Sequence, residues 1–107
     1  KLIVFDANWY HYLFSEELRN AYEEDRQNVK RAHLYDHNIG ENFDQMEHIA
    51  EQLPMTLIDR PSWDKVELEK IGFQDIQIDT EVYQRVWTKE EKINYASTPL
   101  FEIVATK

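Results

Sequence analysis

The sequence predicts an α/β fold with three strands and about three helices. Two nearly continuous apolar runs, Leu2 to Phe5 and Leu100 to Ala105, are typical of strands that are covered on both faces. A third segment, Phe73 to Asp79, alternates apolar and polar residues, as a half-covered edge strand does. Between the first and second strands lie three stretches with helical apolar spacing.

The first helix is predicted to begin at Ser15, whose hydroxyl can cap the first turn. Two glutamates follow and interact favourably with the positive end of the helix dipole. Apolar residues then recur on one stripe, which predicts a long amphipathic helix. They are Leu18, Ala21, Tyr22, Val29 and Ala32.

The second helix is predicted from the capping-box spacing of Asp44 and Glu47, and Pro54 ends it. Its predicted apolar face consists of Met46, Ile49, Ala50 and Leu53. A third helix is predicted to begin near Ser62 and to end at Gly72, a residue suited to the left-handed conformation after a helix.

Composition narrows the function classes. The 107 residues carry a formal net charge of −9, which disfavours binding to nucleic acid or to an anionic membrane surface. Cysteine is absent, which fits a reducing compartment, and no apolar run approaches the length of a membrane span. We therefore expect a soluble, cytoplasmic protein.

The strand count predicts an incomplete sheet. Two of the three strands have the composition of interior strands, yet a three-stranded sheet has only one interior position. Lys1 stands where the first strand is already under way. We therefore expect residues 1–107 to form a single partial domain cut from a longer polypeptide.

Three segments carry a resemblance to a known family: KLIVFDANWYHYLF, RPSWDKVELEKIGF and RVWTKEEKINYASTPLFEIVATK. They resemble the C-terminal half of bacterial class I S-adenosylmethionine-dependent methyltransferases of the small-molecule, ubiquinone-biosynthesis-like type. The resemblance covers the whole chain. It implies a Rossmann-like, mixed sheet in which the last strand is antiparallel and lies between the other two, and a helical, lid-like insertion over residues 15–54.

The resemblance also implies S-adenosylmethionine as the cofactor of the full-length protein. The glycine-rich turn and the acid that hold this cofactor in the family have no counterpart, since the only glycines are Gly40 and Gly72. We therefore expect no cofactor-binding residue in this chain, which by itself should be inactive.

Candidate site residues follow the first strand, because ligands of α/β sheets bind beyond the carboxyl ends of the strands. Asp6 and His11 are the candidate catalytic bases. The candidate substrate-binding residues are Asn8, Trp9, Tyr10, Tyr12, Arg60 and Tyr95. The aromatic residues could equally be core.

The connection from Glu81 to Pro99 is a second candidate wall of the site. An antiparallel last strand starts at the edge of the sheet where the second strand ends, so this connection lies on the site side. Its useful groups are Arg85, Trp87, Asn94 and Tyr95. Alternatively, it is a solvated, charged connection.

Two other hypotheses are weighed. His33 and His37 have a metal-ligand spacing on a helix, but no clear third ligand accompanies them, so surface histidines and no metal are expected.

The alternative function is a noncatalytic α/β interaction module that self-associates by pairing of its first strand. The expected macromolecular contacts are therefore the missing N-terminal half or a second copy of the chain.

Overall fold

The computed structural model describes residues 1–107, and it confirms a small α/β domain. The strands are β1 (Leu2–Asp6), β2 (Gln74–Asp79) and β3 (Phe101–Thr106). The α-helices are α1 (Glu16–Arg31), α2 (Glu41–Ala50), α3 (Ser62–Lys70), α4 (Tyr83–Val86) and α5 (Lys89–Asn94). Two 3₁₀ turns, His11–Leu13 and Pro54–Leu57, lie before α1 and α3.

The three strands form one sheet in the order β1-β3-β2. The central strand β3 is antiparallel to both neighbours, with Val4 opposite Ile103 in one pair and Ile78 opposite Ile103 in the other. The predicted central position of the last strand is confirmed. The prediction of a mixed sheet is wrong for these strands, because β1 and β2 do not pair and both pairings are antiparallel.

The sheet has one covered and one open face. On the covered face β3 buries Phe101, Ile103 and Ala105, and α3 packs against the neighbouring β2. On the opposite face Ile3 and Phe5 of β1 are 55% and 53% exposed. The cover that the sequence predicts for the second face of β1 is therefore not supplied by this chain.

The first helix follows the prediction. Ser15 Oγ accepts a hydrogen bond from Leu18 N at 3.3 Å and caps α1. The buried stripe of α1 is Tyr22, Asp25 and Val29, so an acid occupies a position in the apolar stripe. The helix thus brings a carboxylate into the interior of the domain.

The second helix begins earlier than predicted. Gly40, at φ 100°, precedes its first turn, so Asp44 lies inside the helix and its predicted capping box with Glu47 does not form. Met46 and Ile49 are more than half exposed, and Ala50 is the one buried residue of α2. The predicted end of α3 is confirmed, with Gly72 at φ 98° two residues beyond the helix.

The connection between β2 and β3 contains the two helices that the sequence did not predict. Thr88 caps α5 in a full capping box, since its hydroxyl accepts from Glu91 N and the Glu91 carboxylate accepts from Thr88 N. Of the two helices, α5 packs against α1 and holds the connection there.

The domain leaves much of its apolar surface open. Its accessible surface is 7331 Å², whereas a folded monomer of this mass exposes about 6,300 Å². Its radius of gyration is 15.3 Å, against about 13 Å for a chain of this length.

None of its helices has the length and apolar composition needed to cross a bilayer.

Candidate functional site

The loop after β1 forms one wall of a small cleft of about 120 Å³. The Asp6 carboxylate turns the chain at the strand end by accepting a hydrogen bond from Ala7 N at 2.8 Å. Six of the eight predicted site residues line this cleft: Asp6, Asn8, Trp9, Tyr10, His11 and Arg60. The loop therefore brings the predicted residues together where the sheet topology places them.

His11 is held by the 3₁₀ turn that precedes α3. Its Nδ1 lies 2.8 Å from the carbonyl oxygen of Thr56. Because a carbonyl oxygen only accepts, the proton of the neutral imidazole lies on Nδ1. The Nε2 atom makes no hydrogen bond within the chain and keeps its lone pair, so it is the available base of the cleft.

Asp6 and Arg60 bind each other. Arg60 Nη1 lies 2.5 Å from Asp6 Oδ2, and Arg60 also donates to both carboxylate oxygens of Asp64, at 2.8 to 3.2 Å. The Arg60 guanidinium lies 5.5 Å from the centre of the Phe101 ring. The hydrogen bond to Asp64 contributes most to the raised pKa of Arg60.

This ion-pair network ties the end of β1 to the start of α3. With its guanidinium bound to two carboxylates, Arg60 has little capacity left for a substrate carboxylate. The Asp6 carboxylate is likewise engaged, by Arg60 and Ala7 N, so it is less accessible to a substrate than His11 Nε2. The predicted catalytic role of Asp6 and substrate role of Arg60 stay predictions, and the geometry favours positioning for both.

Three aromatic rings join the β1 loop to the β2–β3 connection. The Trp9 ring lies 5.7 Å from that of Tyr95, edge to face, and 6.3 Å from that of Trp87. Trp87 and Tyr95 are 5.8 Å apart. Such distances are typical of aromatic contacts, so the two predicted walls meet in one cluster.

A second cavity, of about 290 Å³, lies beside this cluster and shares Trp9 and Tyr10 with the first cleft. Tyr95, Asp25 and Asn94 also line it. Predicted residues therefore occur in both cavities, and Trp9 and Tyr10 belong to each.

Asp25 lines the second cavity and was not among the candidate residues predicted from the sequence. It is 4% exposed, and its Oδ2 accepts a hydrogen bond from Ser97 N at 2.8 Å. Burial raises the pKa of Asp25 more than the hydrogen bonds from Ser97 lower it. One feature of the sequence could have indicated its burial: Asp25 lies three residues after Tyr22 and four before Val29, so it falls on the apolar stripe of the helix.

Tyr12 lies outside both cavities. Its ring stacks on Tyr22 at 3.9 Å, and its hydroxyl donates to the Glu47 carboxylate. Burial, together with this hydrogen bond, raises the pKa of Tyr12 far above its usual value. The structure thus places Tyr12 in the core, which was the alternative to its predicted substrate-binding role.

The two histidines with metal-ligand spacing follow the end of α1. His33 has a positive φ of 56°, so helical spacing does not apply to it. His37 packs edge to face on Tyr35 at 4.7 Å. No group of three or more histidines and carboxylates lies close enough together to hold a metal ion.

No family model, curated protein or solved structure matches this chain. What the two cavities can do rests on their own side chains. The first offers an imidazole lone pair beside aromatic walls, and the second offers a buried carboxylate among rings.

Proposed function

We propose that this chain forms the acceptor-binding half of a class I S-adenosylmethionine-dependent methyltransferase that acts on a small molecule. The observation that carries the proposal is the sheet order β1-β3-β2 with β3 antiparallel to both neighbours, as the family resemblance implies. This order lets the Trp9 loop and Tyr95 meet at one edge of the sheet.

The residues of this chain do not fit a cofactor cradle. Gly40 precedes α2 and Gly72 follows α3, so neither glycine provides a tight turn after a strand where a nucleoside could approach the backbone. We assign no cofactor contact to this chain. When bound, S-adenosylmethionine supplies the reactive methyl group.

Support for a further half comes from the open side of the sheet. The outer edge of β1 pairs with no strand, and Ile3 and Phe5 next to it are more than half exposed. Parallel strands of α/β proteins are usually covered on both faces. A strand and helix packed there would complete the sheet and bring the cofactor beside the β1 loop.

Within this proposal each residue of the cleft has a distinct role. His11 Nε2 accepts the proton of an acceptor hydroxyl or amine, since the contact of Nδ1 with Thr56 leaves the Nε2 lone pair facing no group of the chain. Trp9 and Tyr10 form the walls that orient the acceptor. The insertion that contains α1 and α2 lines the adjoining second cavity through Tyr22 and Phe43, a position from which it could act as a lid.

Calorimetry of the full-length protein with S-adenosylhomocysteine tests the proposal without knowledge of the acceptor. We expect one molecule to bind per chain, and adenosine to bind much more weakly as the control. The 107-residue chain by itself should not bind either compound. Absence of binding to the full-length protein at low millimolar concentration would refute the proposal.

The second candidate is a noncatalytic module that self-associates through the open edge of β1. The exposed apolar residues of that strand favour it. Light scattering should then show a dimer of the full-length protein, and Ile3→Lys should dissociate it. Gln77→Lys is a matched control, because Gln77 and Ile3 both pair with Val104, from opposite sides of β3. A dimer that binds no S-adenosylhomocysteine would favour this candidate.

A further inference from the structure

We propose that the second cavity binds a small protonated amine, whose nitrogen pairs with the Asp25 carboxylate while its carbon skeleton lies against the rings of Trp9, Tyr10 and Tyr95. The proposal concerns binding and does not depend on methyl transfer. Nothing in the proposed methyltransferase chemistry requires a buried acid at this place.

The carboxylate of Asp25 lacks a cationic partner. None of the salt bridges in the structure includes it, and its polar neighbour is Ser97, whose N donates to Oδ2 and whose hydroxyl lies close to the carboxylate. The neighbouring Arg26 is committed elsewhere, since it pairs with Asp36, donates to the Asn94 carbonyl oxygen and lies over the Tyr22 ring. A buried carboxylate without a counter-charge destabilises a fold, so a cationic ligand has a favourable place here.

The second polar group of the cavity also requires a donor. Asn94 is 3% exposed, and its Nδ2 donates to the Glu90 carbonyl oxygen at 3.3 Å. Its Oδ1 is buried without a hydrogen-bond partner. Buried amide oxygens are normally paired, so this oxygen would accept from a ligand N–H only if the Asn94 side chain turned toward the cavity.

The polar groups of the cavity therefore favour a ligand with a positive charge. Both Asp25 and Asn94 present oxygen acceptors, and an ammonium group is a pure donor with several N–H groups. An anion would meet the Asp25 carboxylate, and no lysine or arginine lines the cavity to pair with it; the Ser97 hydroxyl is the one buried neutral donor of the lining without a hydrogen-bond partner. The cavity is thus suited to a protonated amine and unsuited to a carboxylate or phosphate.

The rings supply the rest of the recognition. Trp9, Tyr10, Tyr22, Phe43 and Tyr95 all line the cavity. Aromatic faces attract cations and pack against apolar carbon, so they favour an amine with a hydrophobic skeleton. The volume of about 290 Å³ lies at the lower end of small-molecule pockets, which span about 300–1,000 Å³.

The test compares three probes of the same shape and different charge: 2-phenylethylammonium, 2-phenylethanol and phenylacetate. Their dissociation constants for the purified protein are measured at neutral pH by calorimetry and by tryptophan fluorescence, since Trp9 lines the cavity. We expect the ammonium to bind at least about tenfold more tightly than the alcohol. Phenylacetate should bind more weakly still.

The variant Asp25→Asn should reduce the preference for the ammonium over the alcohol to less than about threefold. Glu23→Gln is the matched control, because it removes one negative charge from an exposed position of the same helix and should keep the preference. Circular dichroism checks that both variants fold. If Asp25→Asn does not fold, the comparison of the three probes on the unmodified protein still decides.

Three results would overturn the proposal. They are equal affinity for the ammonium and the alcohol, an unchanged preference in a folded Asp25→Asn variant, and no binding of any probe at tens of millimolar. None of these results bears on the binding of S-adenosylhomocysteine by the full-length protein. The two proposals can therefore fail independently.

Discussion

Asn8 and Arg60 exchange two hydrogen bonds across 52 positions of the chain. Asn8 Nδ2 donates to the Arg60 carbonyl oxygen at 2.6 Å, and Arg60 N donates to Asn8 Oδ1 at 3.1 Å. The Asn8 side-chain amide thus pairs with both the N–H and the C=O of Arg60, as the backbone of a residue in a neighbouring strand would. This contact fixes the β1 loop against the segment that leads into α3.

Replacing Asn8 by alanine should therefore destabilise the domain. The change leaves a part-buried N–H and C=O of Arg60 without partners, which costs about 1–3 kcal/mol in the free energy of unfolding. Urea denaturation followed by circular dichroism measures it. Asn20→Ala, on the exposed face of α1, is the control and should change stability by no more than about 0.5 kcal/mol. Equal effects of the two changes would contradict the prediction.

The Arg60 network predicts a larger loss. Arg60→Met leaves Asp64, whose side chain is 11% exposed, without its cation, and should lower the free energy of unfolding by about 3 kcal/mol. Arg60→Lys should lower the free energy of unfolding by a smaller amount, because lysine keeps the positive charge although it lacks the planar guanidinium group. Urea denaturation compares both with Arg31→Met, whose pair with Glu24 is exposed. Arg31→Met should lower the free energy of unfolding by less than about 1 kcal/mol. If it lowers stability as much as Arg60→Met does, the Arg60 network is not what stabilises the domain.

Asp25 predicts a pH-dependent stability. Because burial raises its pKa in the folded protein, the contribution of Asp25 is fully present below its unfolded pKa and is lost as the pH rises through the raised value. Asp25→Asn cannot ionise, so at neutral pH it should be more stable than the unmodified protein by about 1 kcal/mol. The difference should shrink in acid.

Urea denaturation at neutral and acidic pH checks this sign. Glu23→Gln should show no such dependence, since Glu23 is exposed. A less stable Asp25→Asn protein at neutral pH would mean that the carboxylate is favourably paired in the free protein. Together with the loss of amine binding, a gain in stability would mark Asp25 as a residue whose burial serves a ligand.

The His11 contact predicts a tautomer that nuclear magnetic resonance can observe. Since Nδ1 donates to the Thr56 carbonyl oxygen, the neutral ring should carry its proton on Nδ1. The ¹⁵N shift of Nε2 should then be that of an unprotonated nitrogen at alkaline pH. His33, which is exposed and makes no side-chain hydrogen bond or ion pair, serves as the control and should show the mixture of tautomers found in free histidine. A protonated Nε2 in His11 would contradict its assignment as a base.

The sequence located the strands and the longer helices because their side chains follow the period of each element. The run Leu100 to Ala105 predicted a strand covered on both faces, and the family resemblance implied its position between the other two. The four residues of α4 and the six of α5 were too few to show a period. Asp44 suggested a helix start, whereas Gly40 begins the helix without any side-chain cap.

The site was predictable only in part, for a related reason. The β1 loop was found because the strand end marks where a sheet binds ligands. The contacts that shape the cavities join distant positions: Asp25 to Ser97 spans 72 residues, and His11 to Thr56 spans 45. No local spacing encodes such pairs. Asp25 interrupts an apolar stripe, but only the folded chain shows what surrounds it.

Trp9 is a wall of both cavities, and its indole is 38% exposed. Because Trp9 lines both cavities, a rotation of its ring that reshapes one would also reshape the other. Ligands bound in the two cavities should therefore change each other's affinity through this side chain. By thermodynamic linkage, a ligand in the first cavity changes the affinity of the second cavity by the same factor as a ligand in the second changes that of the first.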